Sequence, residues 1–348
     1  MHMDTAPYWV AVWELALFAG VFGIIFGLDD LMVDALWLAG VGRKQPVRLP
    51  SEPRPLSRRF AIFIPAWHEG AVIGAMLDHC TRQWAGLPCR IYVGVYLNDV
   101  QTMRAVAAAV ARDDRIVMRG CVRPGPTTKA DCLNQLWQVM LDDRASGQFL
   151  AEALVLHDAE DLVDAAELHA HDRLLDGADF VQLPVRPLVH RNGRLISGPY
   201  VDEFAESHGK ELPVRAAIGA LLPTAAVGCA FRIDRLEACC GPGGPFAADS
   251  LTEDYELGLR LAASGGRGAL GNVVRADGAP VVTAAHFPHS YFSSVRQKAR
   301  WTAGIALDGW LRLGWPLPVS APPLHKAAAA WMLWRDRRSP LSAVVIAA

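Results

Sequence analysis

Three carboxylates follow a short apolar run and could bind a metal ion. Residues 153–156 are all apolar, and Asp158, Glu160 and Asp161 come within the next turn of chain. Mg²⁺ and Mn²⁺ are usually held in proteins by one or two carboxylates together with substrate phosphates. An acid-x-acid step at the end of a buried strand therefore predicts a site for metal and nucleotide diphosphate, formed by Asp158 and Glu160. Taken alone, such a step is more often a solvated acidic turn.

Apolar strands alternate with helices from residue 60 onward. Strands are predicted at 60–65, 90–97, 115–118, 153–157, 180–185 and 227–233, and helices at 69–84, 100–112, 129–142 and from 252. This pattern is typical of an α/β fold with a mostly parallel sheet covered by helices on both faces. Ligands of such sheets bind beyond the carboxyl ends of the strands. Residues 65–69, 98–99 and 158–160 all fall at that edge, so we expect the site there.

The N-terminal segment predicts a membrane anchor. Residues 8–28 are apolar except for Glu14, and about 20 such residues cross a bilayer as a helix. No lysine or arginine precedes Arg43, which favours an uncleaved anchor over a signal peptide. A buried helix of a soluble protein is the alternative. Asp29, Asp30 and Asp34 continue the helix and are expected at the membrane interface.

The chain is predicted to have five segments. They are a transmembrane helix at 1–42, a basic, proline-rich linker at 43–59, a catalytic domain at 60–290, amphipathic interfacial helices at 291–334, and the start of a further transmembrane segment at 335–348. The basic residues of the linker place that side in the cytoplasm and the N-terminus in the periplasm. Because residues 341–348 are too short to span a bilayer, we expect a fragment of a longer membrane protein.

Composition narrows the class of protein. The net charge is −2 with no long basic run, which argues against nucleic acid as a partner. The mean hydropathy of +0.18, with 52% hydrophobic residues, indicates a membrane association. The seven cysteines include no C-x-x-C pair, so reduced thiols are favoured over a disulfide framework or a metal site.

Two further stretches carry polar residues of interest. Residues 186–226 contain scattered acids and histidines, but their spacing matches no helical ligand pair, so a substrate loop is favoured over a metal site. Gln297, Arg300 and Trp301 lie at i, i+3 and i+4, hence on one helical face. Arginine suits phosphate and tryptophan offers a flat face to a sugar ring. An interfacial helix with a tryptophan anchor is the alternative, and Trp310, Trp315, Trp331 and Trp334 are interpreted as membrane-level packing.

These motifs together resemble the processive family 2 glycosyltransferases, which have the GT-A fold. Within that family the chain is similar to the bacterial phage adsorption protein B branch, through the N-terminal helix that runs into Leu28-Asp-Asp30 and the Arg-Trp-x-x-Gly-Ile-Ala-Leu-x-Gly-Trp sequence at 300–310. The motifs that carry the family resemblance, in order, are Phe63-Ile-Pro-Ala-Trp-His-Glu69, Asn98-Asp99, Lys129-Ala-Asp-Cys-Leu-Asn134, Asp158-Ala-Glu160, Thr252-Glu-Asp254 and Gln297-Lys-Ala-Arg-Trp301.

The resemblance implies a role for each motif in binding a nucleotide sugar. Pro65, Glu69, Asp99, Lys129, Asp158, Gln297, Arg300 and Trp301 are predicted to bind substrate, with Glu69 and Asp99 near the nucleoside, Lys129 near the diphosphate and Trp301 near the acceptor. Asp158 and Glu160 would hold Mn²⁺ or Mg²⁺. The family usually has aspartate as the second acid, so Glu160 is a departure, and Asp161 remains an alternative ligand.

The resemblance also implies the reaction. Asp254 matches the general base of an inverting transfer, with Glu253 beside it; complementing a helix dipole is the alternative role for both. The implied function is transfer from a nucleotide donor, with UDP expected, to a growing glycan at the cytoplasmic face of a bacterial inner membrane. Expected partners are the donor, the glycan acceptor, the lipid bilayer and an export component, with cyclic di-GMP acting through a region absent here. A catalytically degenerate scaffold or receptor, and transfer to a lipid acceptor, are the alternatives.

Overall fold

Eleven strands are found in the part of the chain that the structure describes. The structure is a computed structural model, and it describes residues 6–52, 54–241, 243–318 and 321–347. Pro53, part of the predicted linker, and the two ends of the chain, 1–5 and 348, lie outside the described residues. The strands are β1 (Val47–Arg48), β2 (Phe60–Pro65), β3 (Cys89–Tyr96), β4 (Ile116–Cys121), β5 (Ala153–Leu156), β6 (Phe180–Gln182), β7 (Val185–Leu188), β8 (Cys229–Arg232), β9 (Gly268–Leu270), β10 (Val273–Val274) and β11 (Thr283–His286).

Seven of these strands form the central sheet. Their order is β4-β3-β2-β5-β8-β6-β9, and within this sheet β8 runs antiparallel to both neighbours while the other pairs are parallel. Two small parallel pairs, β1–β10 and β7–β11, lie outside it. The mostly parallel α/β sheet predicted from the strand–helix alternation is therefore confirmed.

Helices cover both faces of the sheet, and further helices lie at the N-terminal and C-terminal ends of the chain. They are α1 (Ala6–Leu38), α2 (Ile73–Gln83), α3 (Val100–Val110), α4 (Lys129–Ala145), α5 (Glu167–Leu175), α6 (Arg194–Glu206), α7 (Leu212–Ala217), α8 (Ile233–Ala238), α9 (Glu253–Ala263), α10 (Tyr291–Thr302), α11 (Gly309–Leu313), α12 (Pro323–Arg337) and α13 (Ser339–Ala347). Two π-helical segments, Ser207–Glu211 and Ala303–Asp308, connect α6 to α7 and α10 to α11.

The continuous apolar sequence of β2 follows from burial on both faces. Successive side chains of a strand point to opposite faces. Ile62 and Ile64 enter a core that includes Leu77 of α2. Ala61 and Phe63 enter a second core on the other face, which contains residues of α4 and α9. A strand that must be apolar on both sides reads as an unbroken hydrophobic run.

The N-terminal helix α1 is long and apolar enough to cross a membrane. Pro7–Leu38 has a mean hydropathy of 2.1 in its most apolar window, of which 6% is buried. Its last turns instead contact the rest of the protein. Val33 is buried against Val214 and Met332. Gly42, which follows the helix, has a φ of +85° and lies close to the backbone of Pro213. A Cβ added at Gly42 would be 2.6 Å from the carbonyl carbon of Pro213.

Charges at this end of α1 pair with the C-terminal helices. Asp29 accepts a 2.6 Å hydrogen bond from the indole of Trp331 and forms an ion pair with Arg335. Arg338 contacts Asp30. Arg335 and Arg338 are therefore engaged in ion pairs, whereas Arg337 lies over the rings of Trp310 and Trp315. Helix α13 lies beside α1. The division into five segments remains a prediction, as does the interfacial position of residues 291–334.

Several elements differ from the sequence prediction. Helix α2 begins at Ile73 rather than at 69, which leaves Glu69 in the preceding turn. The predicted strand at 180–185 is two strands, β6 and β7, interrupted at Pro184, because proline cannot donate a hydrogen bond to a strand ladder. The predicted substrate loop at 186–226 is largely helical, with α6, a π segment and α7.

Candidate active site

A cavity of about 280 Å³ lies against the ends of β5 and β6 and beside α9 and α10. Its wall contains most of the residues singled out from the sequence: Lys129, Asp158, Glu160, Asp161, Glu253, Asp254, Gln297, Arg300 and Trp301. They come from four separate motifs that span residues 129–301. The fold therefore brings these motifs into one site, whereas Pro65, Glu69 and Asp99 do not line this cavity.

Asp158 and Glu160 lie in the turn after β5, at the carboxyl edge of the sheet. The ammonium group of Lys129, in the first turn of α4, forms an ion pair with Asp158. Burial raises the pKa of Glu160 to about 8, and the nearby charges of Asp158 and Glu69 act in the same direction. Neighbouring carboxylates disfavour one another's ionised form, and the raised pKa of Glu160 therefore also reflects how closely the acidic side chains are grouped in this turn.

Asp161 has a different environment from Glu160. It is fully buried, and its Oδ2 accepts hydrogen bonds of 3.0 Å from the backbone amide of Asp158 and from the ring of His157. His157 Nε2 lies 2.8 Å from Glu167, also fully buried. Although burial opposes it, the carboxylates of Glu167 and Asp161 raise the pKa of His157 to about 10. Asp161 is thus part of a buried ionic network that stabilises the conformation of this turn.

The predicted nucleoside contacts lie at the next strand ends. Pro65 ends β2 and is half-buried, and Glu69 follows in the turn before α2. Burial raises the pKa of Glu69, and the charges of Asp158 and Asp99 add to the rise. Asp99 is buried and caps α3, and its Oδ2 accepts a 2.6 Å hydrogen bond from the backbone amide of His68. Its carboxylate therefore holds the 65–69 loop in place.

Glu253 and Asp254 occupy the first turn of α9. The hydroxyl of Thr224 donates a 2.7 Å hydrogen bond to the backbone carbonyl of Asp254. Burial raises the pKa of Asp254, while the charge of Lys129 opposes the rise. Burial and the charge of Asp254 raise the pKa of Glu253 to about 7. A carboxylate with a raised pKa is a better proton acceptor once it is ionised, which suits a general base.

The Gln297–Trp301 motif lies on α10, across the cavity. The buried Oε1 of Gln297 has no hydrogen-bond partner within the described ranges. Because Gln297 lines the cavity, a ligand bound there could donate a hydrogen bond to this oxygen. Arg300 donates a 3.2 Å hydrogen bond to the carbonyl of Leu251, immediately before the α9 motif. Trp301 packs edge-on against three aromatic rings, with centroid distances of 6.1–6.4 Å: Tyr200, Phe204 and Phe287.

Two residues of the cavity wall, Gln182 and His208, are not among the site residues predicted from the sequence. Gln182, buried at the end of β6, accepts a 2.8 Å hydrogen bond from the amide of Ala225 and donates to the carbonyl of Val227, so it fixes the loop before β8. His208 is buried beside Phe204 in the first π segment. The polar end of a buried strand could have indicated Gln182, but only the tertiary fold reveals His208.

Sequence comparison decides the family. A family model described as "Glycosyltransferase like family 2" matches residues 57–304. The chain belongs to glycosyltransferase family 2. The matched segment contains every residue predicted for the site, and it ends within the second π segment, so α11, α12 and α13 lie outside the family 2 segment.

Known proteins similar to this family 2 chain include a curated relative and two solved structures. In an alignment 354 positions long, the chain is 33% identical to bacteriophage adsorption protein B of Escherichia coli K12, and the alignment covers 94% of this chain and 46% of that protein. The chain therefore spans about half the length of this relative.

The solved structures share the fold at lower identity. A mannosyltransferase from Pyrobaculum calidifontis in complex with GDP-Man and Mn²⁺ has a TM-score of 0.62 at 18% identity, covering 96% of this chain and 88% of that one. Residues 1–349 of TarS from Staphylococcus aureus have a TM-score of 0.51 at 12% identity, covering 81% and 72%. The chain has the GT-A fold, as the family resemblance predicts.

The acidic turn fits a divalent cation in its chemistry. No cluster of three or more potential protein ligands occurs among the residues described by the structure. Mg²⁺ and Mn²⁺ sites that also bind substrate phosphates need only one or two protein carboxylates, because the phosphates and water complete the coordination. Asp158 and Glu160 supply two oxygen donors of the right kind, and the crowded negative charge around them would be balanced by a cation.

Proposed function

We propose that this family 2 protein is an inverting, metal-dependent glycosyltransferase that transfers a sugar from a nucleotide donor to a growing glycan. The observation that carries the proposal is the meeting of Asp158, Asp254 and Arg300 around one cavity, although they are far apart in the chain. A donor site, a base and a phosphate-binding arginine around one cavity match the requirements of glycosyl transfer.

In this proposal each side chain has a defined task. Asp158 and Glu160 hold Mn²⁺ or Mg²⁺, which supplies Lewis acidity to the diphosphate leaving group when bound. Lys129 and Arg300 balance the charge that develops on the diphosphate. Asp254 removes the proton from the acceptor hydroxyl as the oxygen bonds to the anomeric carbon and the bond from that carbon to the diphosphate oxygen breaks. Displacement in a single step inverts the anomeric configuration.

We propose UDP as the nucleotide of the donor and a polysaccharide as the product. The family resemblance of the Gln297–Trp301 motif supports a processive enzyme, and the apolar surface of Trp301 suits a sugar acceptor. The solved mannosyltransferase similar to this chain binds GDP-Man, so GDP is the competing nucleotide. Transfer to a lipid acceptor and a non-catalytic receptor role are the alternatives; the name of the curated relative refers to phage adsorption.

We further propose that α1 anchors the protein in the bacterial inner membrane with the catalytic domain in the cytoplasm. The length and hydropathy of α1 support this arrangement, together with the basic residues that follow it. Exposed apolar side chains on α10 and α11, including Phe292 and Leu311, support contact of these helices with lipid. An export partner and regulation by cyclic di-GMP are proposals that rest on the family resemblance alone.

The test is release of nucleoside diphosphate from a panel of UDP- and GDP-sugars by the full chain in membranes, with and without Mn²⁺. We expect metal-dependent release with a UDP-sugar, and loss of at least about 100-fold in kcat for Asp254→Asn with unchanged UDP binding. Asp234→Asn, which removes an exposed ion pair on α8, is the control. Undiminished release by Asp254→Asn would refute the assignment of the base.

A further inference from the structure

Two consecutive residues of α12 bind different parts of the protein. The carboxylate of Asp336 accepts hydrogen bonds of 2.8 and 2.9 Å from the guanidinium group of Arg215, and one of 2.7 Å from the hydroxyl of Tyr255. Its neighbour Arg335 forms an ion pair with Asp29 at the end of α1. One turn of α12 therefore joins α7, α9 and α1.

The contact between Asp336 and Arg215 is a partly buried, bidentate ion pair. Arg215 is 2% exposed, and its Nε donates a further 2.5 Å hydrogen bond to the carbonyl of Leu221. A planar guanidinium group that makes two parallel hydrogen bonds to a carboxylate has a fixed geometry. Asp336 is consequently held in one position, in which its carboxylate accepts the hydrogen bond from the hydroxyl of Tyr255.

Tyr255 directly follows Asp254 in the first turn of α9. Its side chain is 6% exposed, and the hydroxyl of Thr224 donates a hydrogen bond to the carbonyl of Asp254 in the same turn. Arg312 of α11 also reaches this helix, through a 2.8 Å hydrogen bond to Glu256. Thr224 thus fixes the first turn of α9 from the catalytic domain, and Asp336 and Arg312 fix it from the C-terminal helices.

We propose that Asp336, acting through Tyr255, is a positioning residue for Asp254, and that α12 thereby links the catalytic base to the end of α1. The inference rests on the proposed function, because it concerns the base of that reaction. It assigns a role in the transfer reaction to a helix outside the segment matched by the family, since α12 begins at Pro323. Misplacement of a reacting group by about 1 Å can cost about 100-fold in rate.

The test compares Tyr255→Phe and Asp336→Asn with wild type, using the full chain. Tyr255→Phe removes one hydroxyl and leaves the ring in the core, so it is the milder variant. We expect kcat to fall about tenfold or more in each, with KM for the donor and Mn²⁺-dependent UDP binding changed less than about twofold. The double variant should fall no further than Asp336→Asn alone, because both changes break one link.

Two results would overturn the inference while the proposed function stands. One is a wild-type kcat in Tyr255→Phe and Asp336→Asn beside an inactive Asp254→Asn. The other is a parallel loss of kcat, UDP binding and thermal stability, which indicates a structural contact only. Turnover by Asp254→Asn would instead refute the base and the inference together.

Hydrogen exchange tests the link between Asp336 and the first turn of α9 without turnover. For Asp336→Asn we expect faster amide exchange in a peptide covering residues 252–258, with exchange in β2 and β3 unchanged. Asp234→Asn should match wild type in both regions. Unchanged exchange at 252–258 in Asp336→Asn would contradict the inference, even if none of the sugars in the panel is a substrate.

Discussion

The backbone amide of Asp158 donates a 3.0 Å hydrogen bond to the carboxylate of Asp161. The same oxygen accepts from His157, so this carboxylate shapes the turn from within. The sequence leaves Glu160 and Asp161 as competing metal ligands. Because Asp161 is committed to the turn, we propose Glu160 as the second ligand.

Substitution at these two positions should have different effects. Glu160→Gln is expected to remove most Mn²⁺-dependent UDP binding without loss of stability, because its side chain is only partly buried. Asp161→Asn should retain weakened binding but lower the free energy of unfolding by about 3 kcal/mol, since it leaves buried His157 without one of its ionic partners. Calorimetry and urea unfolding measure the two quantities. The reverse pattern, with binding lost in Asp161→Asn and kept in Glu160→Gln, would make Asp161 the ligand.

His208 should make the protein less stable in weak acid. Burial lowers the pKa of His208 from 6.5 to about 4. The unfolded chain therefore binds more protons than the folded one between about pH 4 and 6.5, so the contribution of His208 is complete above pH 6.5 and is lost as the pH falls through this window. A shift of this size corresponds to a contribution on the order of 3 kcal/mol.

The difference between wild type and His208→Gln isolates this effect from other titrating groups. Urea unfolding of the full chain in detergent, at pH 7.5 and pH 5, should show a larger loss for wild type than for the variant. Equal losses would mean that His208 is not held neutral in the fold.

Gly304 allows α10 and the second π segment to approach the start of α9. A Cβ at Gly304 would lie 2.5 Å from Cγ2 of Thr252, the residue before Glu253. Gly304→Ala should therefore destabilise the protein by about 1–3 kcal/mol and reduce turnover, because the two helices must separate. Gly74→Ala is the matched control, since open space surrounds Gly74 in α2. Thermal unfolding and kcat that are unchanged in Gly304→Ala would contradict this close packing.

The membrane topology can be tested with reporter fusions. A reporter active only in the periplasm, fused after residue 60, should give no signal, whereas a cytoplasmic reporter at the same point should be active. Basic residues after a transmembrane helix favour the cytoplasmic side. A strong periplasmic signal after residue 60 would reverse the proposed orientation.

The sequence predicts the central sheet and the catalytic edge because both follow from local patterns. Strand β2 is predicted at its observed bounds from its unbroken apolar run. Strands β2 and β5 are adjacent and parallel, so the position of Glu69 and Asp158 at the same edge of the sheet also follows from the pattern. Lys129 reaches Asp158 because α4 begins at that edge.

The contacts that complete the site depend on residues distant in the chain. Asp336 and Tyr255 are 81 residues apart, and Asp29 and Arg335 are 306 apart, with no periodicity to connect them. The sequence pattern also does not predict the helices between 194 and 217, because Pro199 lies inside α6 and interrupts the helical pattern. Partners of this kind are selected by tertiary packing, which a single sequence does not encode in any local spacing.

The most direct test of the central claim is calorimetric binding of UDP to the purified chain with Mn²⁺, beside Asp158→Ala. If a metal at the acidic turn holds the donor, UDP binding requires Mn²⁺ and is lost in Asp158→Ala. Binding of GDP in place of UDP would keep the site and change the donor. Absence of both from folded wild-type protein, or undiminished binding in Asp158→Ala, would contradict the proposed donor site.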